Sequence, residues 1–405
     1  MQSDVAILRE LAKQYIEIAR DPIQDERRDL WRRHHNLEDT RPLVYIRWFL
    51  AAHEVIDPLL RCEDRFYRGH ERQLRFWLMH ASFADDYVIE PWLTQRATFT
   101  VNRQNLWGAE ISRIPSDQPG GAWKFDPPIK QLDQIADLVA PHHVIDREAT
   151  ASNYARIQEA VGDIVDVDLD TSPFYDSNLA MYLADLRGLD ACMWDMLDHP
   201  EWLHDLIAFL GEGVLRTHDE AEAAGDWHLS NGSNQALPYH TNLADPVANG
   251  PSVTRDCLWG YCNAQEFTLI SPPMHRDFML HYQWPIMKKF ALTAYGCCED
   301  LSNKIDILRS WTNLRRIAVT PFADVERCAD QIGRDYVMGW RPNPAEMVCA
   351  GFDPDHIRKV TTDAARALKG CHYDACLKDV VTVQHQPERM REWVRITREA
   401  TLDNA

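Results

Sequence analysis

Apolar runs of strand length alternate with amphipathic helical stretches over about residues 160–400. The runs lie at residues 164–169, 226–230, 290–295, 314–319, 336–340 and 374–383. This alternation predicts parallel strands joined by crossover helices. No glycine-rich phosphate-binding motif follows these runs, which disfavours a nucleotide-binding fold. The pattern therefore favours an α/β fold, the eight-stranded (β/α) TIM barrel.

The first 95 residues have a different pattern, typical of helices. Residues 5–19 carry apolar side chains at three- and four-residue spacing, and the next stretch mixes charged and aromatic residues. We therefore expect one domain over residues 1–405. In it, an N-terminal helical extension of residues 1–95 packs on a barrel of about residues 98–400.

Composition limits the partners of the chain. Its 405 residues carry a formal net charge of −19, which disfavours nucleic acid and anionic membranes. No run approaches the ~20 apolar residues that span a bilayer, so we expect a cytoplasmic protein. The ten cysteines are scattered through the chain without a zinc-ribbon spacing, which indicates reduced thiols.

Catalytic residues of a TIM barrel gather at the carboxyl ends of its strands. The first such end carries Asp168 and Asp170, followed by Tyr175, and we take these three as substrate-binding candidates. Alternatively, Asp170 caps the following helix, because Asp accepts hydrogen bonds from free helical N–H groups.

The next strand end carries small amide and hydroxyl side chains at residues 230–235, followed by a loop histidine. Asn234 and His240 are substrate-binding candidates there. A turn uses the same residue types, and a lone loop histidine is often structural.

Two thiols and two carboxylates follow the strand at residues 290–295. Cys297 and Glu299 would project to one side of an extended chain, and thiolates and carboxylates bind Zn²⁺. Cys297 could instead be a nucleophile. In the structural alternative, both cysteines are buried as small hydrophobic residues.

Later strand ends add polar groups. Trp340, Arg341 and Asn343 lie in a turn that is stiffened by two prolines, Pro342 and Pro344. We expect all three to bind substrate. Asp379 interrupts an apolar strand, where a charge needs a partner or a cavity. We therefore predict that Asp379 lies in the pocket, the alternative being a buried salt bridge with Lys378 or Arg341.

The order of these pieces resembles the uroporphyrinogen decarboxylase-like superfamily over about residues 160–400. The carrying segments are residues 269–278 (LISPPMHRDF), 295–298 (YGCC), 344–354 and 386–393 (QPERMREW). Members are (β/α) barrels that include tetrapyrrole decarboxylases and the methyltransferases that serve corrinoid proteins. The basic N-terminal loop of the decarboxylase branch has no counterpart here.

The methyltransferase branch binds zinc through a His-x-Cys strand end and a late Cys. Here Tyr295 occupies the His place, Cys297 matches the first Cys, and Asp379 occupies the late Cys place. The resemblance thus implies a methyltransferase, commonly a homodimer, that moves a methyl group between a small substrate and a separate corrinoid (cobalamin) protein. Tyr295, Glu299 and Asp379 would be catalytic, and a mixed site of Cys297, Glu299 and Asp379 would bind a metal such as zinc.

Two alternatives stay open. The first is a decarboxylase or other lyase for a small carboxylic acid, in which His240 or Arg341 orients the carboxylate. The second is a non-catalytic barrel that binds a tetrapyrrole or corrinoid.

Overall fold

The structure, a computed structural model, describes residues 3–101, 105–117, 124–349 and 351–404. The strands are β1 Leu43–Arg47, β2 Trp92–Arg96, β3 Ser112–Ile114, β4 Lys124–Asp126, β5 Asp166–Asp170, β6 Trp259–Cys262, β7 Leu292–Tyr295, β8 Leu314–Val319, β9 Val337–Trp340 and β10 His372–Lys378. The helices are α1 Asp4–Ala19, α2 Ile23–His35, α3 Ala52–Val55, α4 Arg65–Ala81, α5 Arg147–Val161, α6 Leu179–Arg187, α7 Leu189–Asp198, α8 Pro200–Ala223, α9 Pro272–His275, α10 His281–Met287, α11 Ile305–Leu308, α12 Val325–Ile332, α13 Pro344–Val348, α14 Pro354–Ala367 and α15 Glu388–Leu402.

Six parallel strands form the central sheet, in the order β1-β10-β9-β8-β7-β6. The parallel pair β2-β5 and the antiparallel pair β3-β4 are separate sheets. The sheet is curled like part of a TIM barrel. However, the prediction of a closed eight-stranded barrel was wrong, because no strand pairing within the described residues joins the edges β1 and β6.

A loop segment contacts both of these edge strands instead. The Ser233 N–H donates to the Trp259 carbonyl at 3.1 Å on β6. On the β1 side, Arg47 Nη1 donates to the Gln235 carbonyl at 3.0 Å, and the Tyr45 hydroxyl donates to the same oxygen at 3.2 Å. These hydrogen bonds of residues 233–235 therefore connect β1 and β6, between which the described residues form no strand pairing.

Three further differences concern the positions of strands. Strands β1 and β2 lie inside the segment predicted to be a helical extension, and β1 is an edge strand of the central sheet. Its first four residues are fully buried, so packing prevails over the charged helical pattern around it. The predicted strand at residues 226–230 was also wrong: Leu229–Asn231 is a turn of 3₁₀ helix.

The interior of the curled sheet is polar. Arg316 on β8 forms an ion pair with Asp374 on β10, with a distance of 2.7 Å from Arg316 Nη2 to Asp374 Oδ1. The same guanidinium donates to the Tyr45 hydroxyl at 3.1 Å, and His34 Nε2 lies 3.2 Å from Asp374 Oδ2. These buried groups tie β1, β8 and β10 together below the carboxyl ends of the strands.

The opposite face of the sheet packs on the helices through apolar side chains. This core includes Val44, Ile46, Ile317, Val319, Met338 and Leu377. Within the described ranges, no helix has the length and apolar character needed to cross a membrane.

Candidate functional site

Three side chains meet where the sheet ends at the carboxyl tips of β7, β9 and β10. Cys297 lies in the loop after β7, Arg341 follows β9, and Lys378 is the last residue of β10. Because these strands are parallel and nearly adjacent in the sheet, their carboxyl ends share one edge. We call this cluster, with its neighbours Cys298 and Asp379, the edge site.

Cys297 is held as a thiolate. Lys378 Nζ lies 2.9 Å from Cys297 Sγ, and Cys298 Sγ lies 3.6 Å from the same sulfur. The Cys298 hydrogen bond and the positive charges of Lys378 and Arg341 hold the pKa of Cys297 well below its ordinary range. The same interaction, with burial, raises the pKa of Cys298. A thiolate beside a protonated neighbouring thiol is a nucleophile at neutral pH.

The loop that carries Cys297 is shaped by a buried carboxylate. Glu299 accepts hydrogen bonds from the backbone N–H of Ala264 at 2.9 Å and of Cys297 at 2.7 Å, one on each oxygen. Gly296 turns the chain at a φ of 101°, which favours glycine. Burial raises the pKa of Glu299. Glu299 thus positions Cys297 and directs both oxygens at the backbone.

Arg341 lines the site from β9. It is only 4% exposed, and it donates to the Cys297 carbonyl and, at 2.8 Å, to Gln235 Oε1. Both acceptors are neutral amide oxygens. Tyr261 adds a hydroxyl 3.4 Å from the Gly296 carbonyl. Burial, together with the Cys297 thiolate, raises the pKa of Tyr261, so that it stays a hydrogen-bond donor.

The predicted metal site of Cys297, Glu299 and Asp379 does not fit a zinc ion. No three His, Cys, Asp or Glu side chains of the described ranges form a metal-binding group. Both oxygens of Glu299 are occupied by backbone N–H groups, and Lys378 Nζ lies beside Cys297 Sγ and 3.2 Å from Asp379 Oδ2. An ammonium ion therefore occupies the position between thiolate and carboxylate, where a zinc ion would have to lie.

Tyr295 points away from the edge site, although it ends the same strand. Its buried hydroxyl lies 2.7 Å from His275 Nε2 and 3.4 Å from Gln283 Oε1, both on the helical layer. Successive strand residues face opposite sides of a sheet, which separates Tyr295 from the interior. Its predicted catalytic hydroxyl is thus used in packing between sheet and helices.

The two acidic candidates on β5 make contacts of their own. Buried Asp168 accepts from the Asn249 N–H at 2.9 Å, and its pKa is raised by burial. Asp170 pairs with Arg96 at 2.6 Å and accepts from the Ser172 N–H at 3.0 Å in the loop after β5; it does not cap the next helix, which begins at Leu179 with Asn178 as its N-cap. In the described structure, neither carboxylate contacts Cys297, Lys378 or Arg341.

Four other substrate-binding candidates also have local roles. Buried Tyr175 packs against Trp107, with ring centroids 5.4 Å apart. Asn234 accepts from the Ala236 N–H at 2.8 Å, which stabilises a turn. Trp340 lies in the apolar core, and Asn343 caps α13 through the Ala345 N–H at 3.1 Å.

His240 lies in a buried turn rather than beside a strand end. Its Nδ1 accepts from the Asn242 N–H at 3.1 Å. Burial lowers the pKa of His240 to about 4, so its imidazole is neutral at neutral pH. Of the predicted site residues, the structure brings Cys297, Glu299, Arg341 and Asp379 together, with Glu299 bound to the backbone of Cys297.

Sequence reasoning did not assign Lys378, Tyr261 or Arg47 to the site, although Arg47 ends β1 as the register partner of Lys378. Lys378 interrupts the same apolar strand as Asp379, which was a signal for both residues. Arg47 follows four apolar residues, the pattern of a strand end, in a segment predicted to be helical. Tyr261 falls in a stretch predicted to be a long loop, where the short aromatic strand β6 lies.

No protein-family model matches this sequence, and no sequence of a curated protein matches it either. Among solved structures, this chain is similar to a methyltransferase from Methanosarcina mazei, with a TM-score of 0.55 and 11% sequence identity. The match covers 92% of this chain and 98% of that methyltransferase. At this identity the likeness shows a shared fold.

Proposed function

We propose that this protein is a methyltransferase in which the Cys297 thiolate accepts the methyl group. The observation that carries the proposal is the 2.9 Å contact between Lys378 Nζ and Cys297 Sγ at the carboxyl edge of the sheet. Thiolates are strong nucleophiles toward carbon, and this edge is where barrel enzymes perform catalysis. The fold shared with a methyltransferase supports the same reaction class.

The chemical step is a displacement at carbon. A lone pair of the Cys297 sulfur forms the S–CH₃ bond while the bond from carbon to the donor atom breaks, and the donor leaves with that electron pair. Attack by an acceptor on the resulting S-methyl group then breaks the C–S bond and regenerates the thiolate. Lys378 stabilises the thiolate before the first displacement and after the second.

The neighbours of Cys297 have separate tasks. Cys298 donates a hydrogen bond to the thiolate, which must be released or lengthened as the sulfur attacks. Asp379 is 41% exposed and lies 3.6 Å from Cys298 Sγ, where its charge helps to keep Cys298 protonated. The predicted catalytic role of Asp379 stays a prediction under this scheme.

The second substrate in the sequence-based prediction is a corrinoid carried by another protein, which would supply a methyl donor or acceptor. No described residue of this chain is assigned to hold the corrinoid. Large apolar side chains are exposed on loops that follow four strands of the sheet. They are Phe49 and Leu50 after β1, Leu269 after β6, Phe322 after β8 and Val381 after β10. Exposed apolar groups around one edge are typical of a protein-docking surface and support such a partner.

The experiment is to incubate the purified protein with methylcobalamin and to map methylation by peptide mass spectrometry. We expect methyl on Cys297, none in Cys297→Ser, and unchanged labelling in Cys257→Ser, a matched change at a half-buried cysteine outside the edge site. Intact Cys297 after exposure to methylcobalamin and to methyl iodide would overturn the proposal.

The decarboxylase alternative is kept because buried Arg341 could orient a carboxylate. Release of CO₂ from a small carboxylic acid, with no methylation of Cys297, would favour that alternative.

A further inference from the structure

Positive charge is concentrated at the edge site of an otherwise acidic protein. Arg47 and Lys378 are register partners at the ends of β1 and β10, and Arg341 follows the adjacent strand β9. Within the described ranges, the anionic groups beside them are the Cys297 thiolate and Asp379, and both of these contact Lys378. The Cys297 thiolate also attracts Arg341, so three cations face two anions and the edge site keeps a net positive charge.

Neither arginine forms an ion pair with a carboxylate of the described chain. Arg341 donates to the Cys297 carbonyl and to Gln235 Oε1, and Arg47 donates to the Gln235 main-chain carbonyl at 3.0 Å. The Arg341 Nε–H is buried and has no hydrogen-bond partner among the described residues. The guanidinium is thus held by neutral acceptors, and its buried Nε–H is left unused.

A cluster of buried cations with too few counter-charges is costly, because burial removes the charged groups from water. A guanidinium matches a carboxylate or sulfonate because its planar N–H groups can donate to two oxygens. Arg341 also contacts the Cys297 carbonyl, so an anion bound there would lie close to the nucleophile. These contacts favour an anion contributed by a ligand rather than by the chain.

We propose that Arg341 and Arg47 form an anion subsite that binds the carboxylate or sulfonate of a small organic substrate beside Cys297. The inference rests on the proposed function in one respect: the anion belongs to the molecule that gives or receives the methyl group. The subsite holds the anionic end of that molecule and leaves its reactive carbon to Cys297. Gln235 keeps the two guanidinium groups at a fixed spacing, because it accepts from both.

Alkylation of Cys297 tests the subsite without any methyl substrate. Iodoacetate and iodoacetamide both transfer a carbon group to a thiolate and release iodide, and they differ in that iodoacetate carries a carboxylate. We expect the rate ratio of iodoacetate to iodoacetamide at Cys297 to exceed that of free cysteine about tenfold at low salt, which corresponds to ~1.4 kcal/mol. Arg341→Gln and Arg47→Gln should each lower the ratio.

The control is Arg334→Gln, which removes the same charge from an exposed arginine paired with Asp39 and should leave the ratio unchanged. A ratio in the unaltered protein equal to that of free cysteine would overturn the proposal. So would an unchanged ratio in Arg341→Gln that folds correctly.

A competition measurement covers the case in which Arg341→Gln does not fold. Acetate or ethanesulfonate should slow alkylation of Cys297 by neutral iodoacetamide more than sodium chloride does at equal ionic strength. Equal effects of all three salts would refute the subsite. An anion preference without methylation of Cys297 would refute the proposed function and leave the subsite supported. Methylation of Cys297 without an anion preference would refute the subsite alone.

Discussion

Replacement of Lys378 by methionine should raise the pKa of Cys297 and slow its alkylation at neutral pH. Methionine has nearly the same length as lysine but no charge. The Nζ–Sγ distance is 2.9 Å, and a unit charge pair at this distance interacts with ~1.4 kcal/mol even at the dielectric constant of water. This is about one pKa unit, and Lys378 is 6% exposed, so we expect the true shift to exceed that value.

The assay is the rate of iodoacetamide alkylation of Cys297 as a function of pH, followed by peptide mass spectrometry. In the unaltered protein the rate should already be near its plateau at about pH 6, because the thiolate persists there. In Lys378→Met the midpoint should move upward by at least about one unit.

Two controls separate charge from folding. Lys378→Arg keeps the positive charge and should move the midpoint little, whereas Lys359→Met removes a charge from an exposed helix position and should not move it. A midpoint that is identical in Lys378→Met and in the unaltered protein would refute the assignment of Lys378 as the cation that stabilises the thiolate.

Two further predictions concern the framework of the site. Asp374→Asn should lower the free energy of unfolding by ~3–5 kcal/mol at neutral pH in urea titrations, because it leaves buried Arg316 without its counter-charge. Although burial opposes it, the pair with Arg316 lowers the pKa of Asp374 in the folded state. The stabilisation is therefore present above about pH 4 and should decline at lower pH; a difference that grows as the pH falls would contradict this assignment. Gly296→Ala should cost ~1–3 kcal/mol, because φ is 101° and a Cβ would lie 2.8 Å from Leu301 Cδ1. It should also slow alkylation of Cys297 through displacement of the loop, and unchanged urea stability and alkylation would show that the loop accommodates a Cβ.

The regular alternation after residue 160 was sufficient to predict most of the sheet. The predicted strand at residues 314–319 coincides with β8, and a crossover helix follows it as predicted, α12. Both have strong periodicity and clear boundaries, such as Asp324, which accepts from the Arg327 N–H at the start of α12. Local signals of this kind are independent of the rest of the chain.

The edge of the sheet was harder to predict because it depends on distant pairing. Strand β1 lies in a charged segment that was predicted to be helical. It pairs with β10, whose residues are far away in sequence. The same limitation applied to the gap between β1 and β6. A period-two or period-3.6 pattern does not reveal that Gln235 contacts a strand through its own main-chain carbonyl.

At the candidate site, residue types along the sequence did not predict which charges lie next to the Cys297 sulfur. Carboxylates follow Cys297 in sequence, and they suggested a metal site. In three dimensions Glu299 faces the backbone, and the groups nearest the sulfur are Lys378 and Cys298. The sign of the shift in the Cys297 pKa is set by partners from another strand end, which linear spacing does not encode.

The pairing of β1 with β10 also determines when the edge site can form during synthesis. Leu43 is opposite Asp374, and Arg47 is opposite Lys378, so the ladder joins residues translated early with residues translated late. A nascent chain has to keep β1 unpaired until β10 leaves the ribosome, and such long-range pairing is slow and exposed to aggregation. Cys297 likewise cannot contact Lys378 until β10 has been translated, so its full reactivity develops late in synthesis. Chains that stop before β10 should therefore lack the Lys378 contact, and the pKa of Cys297 should be higher in them.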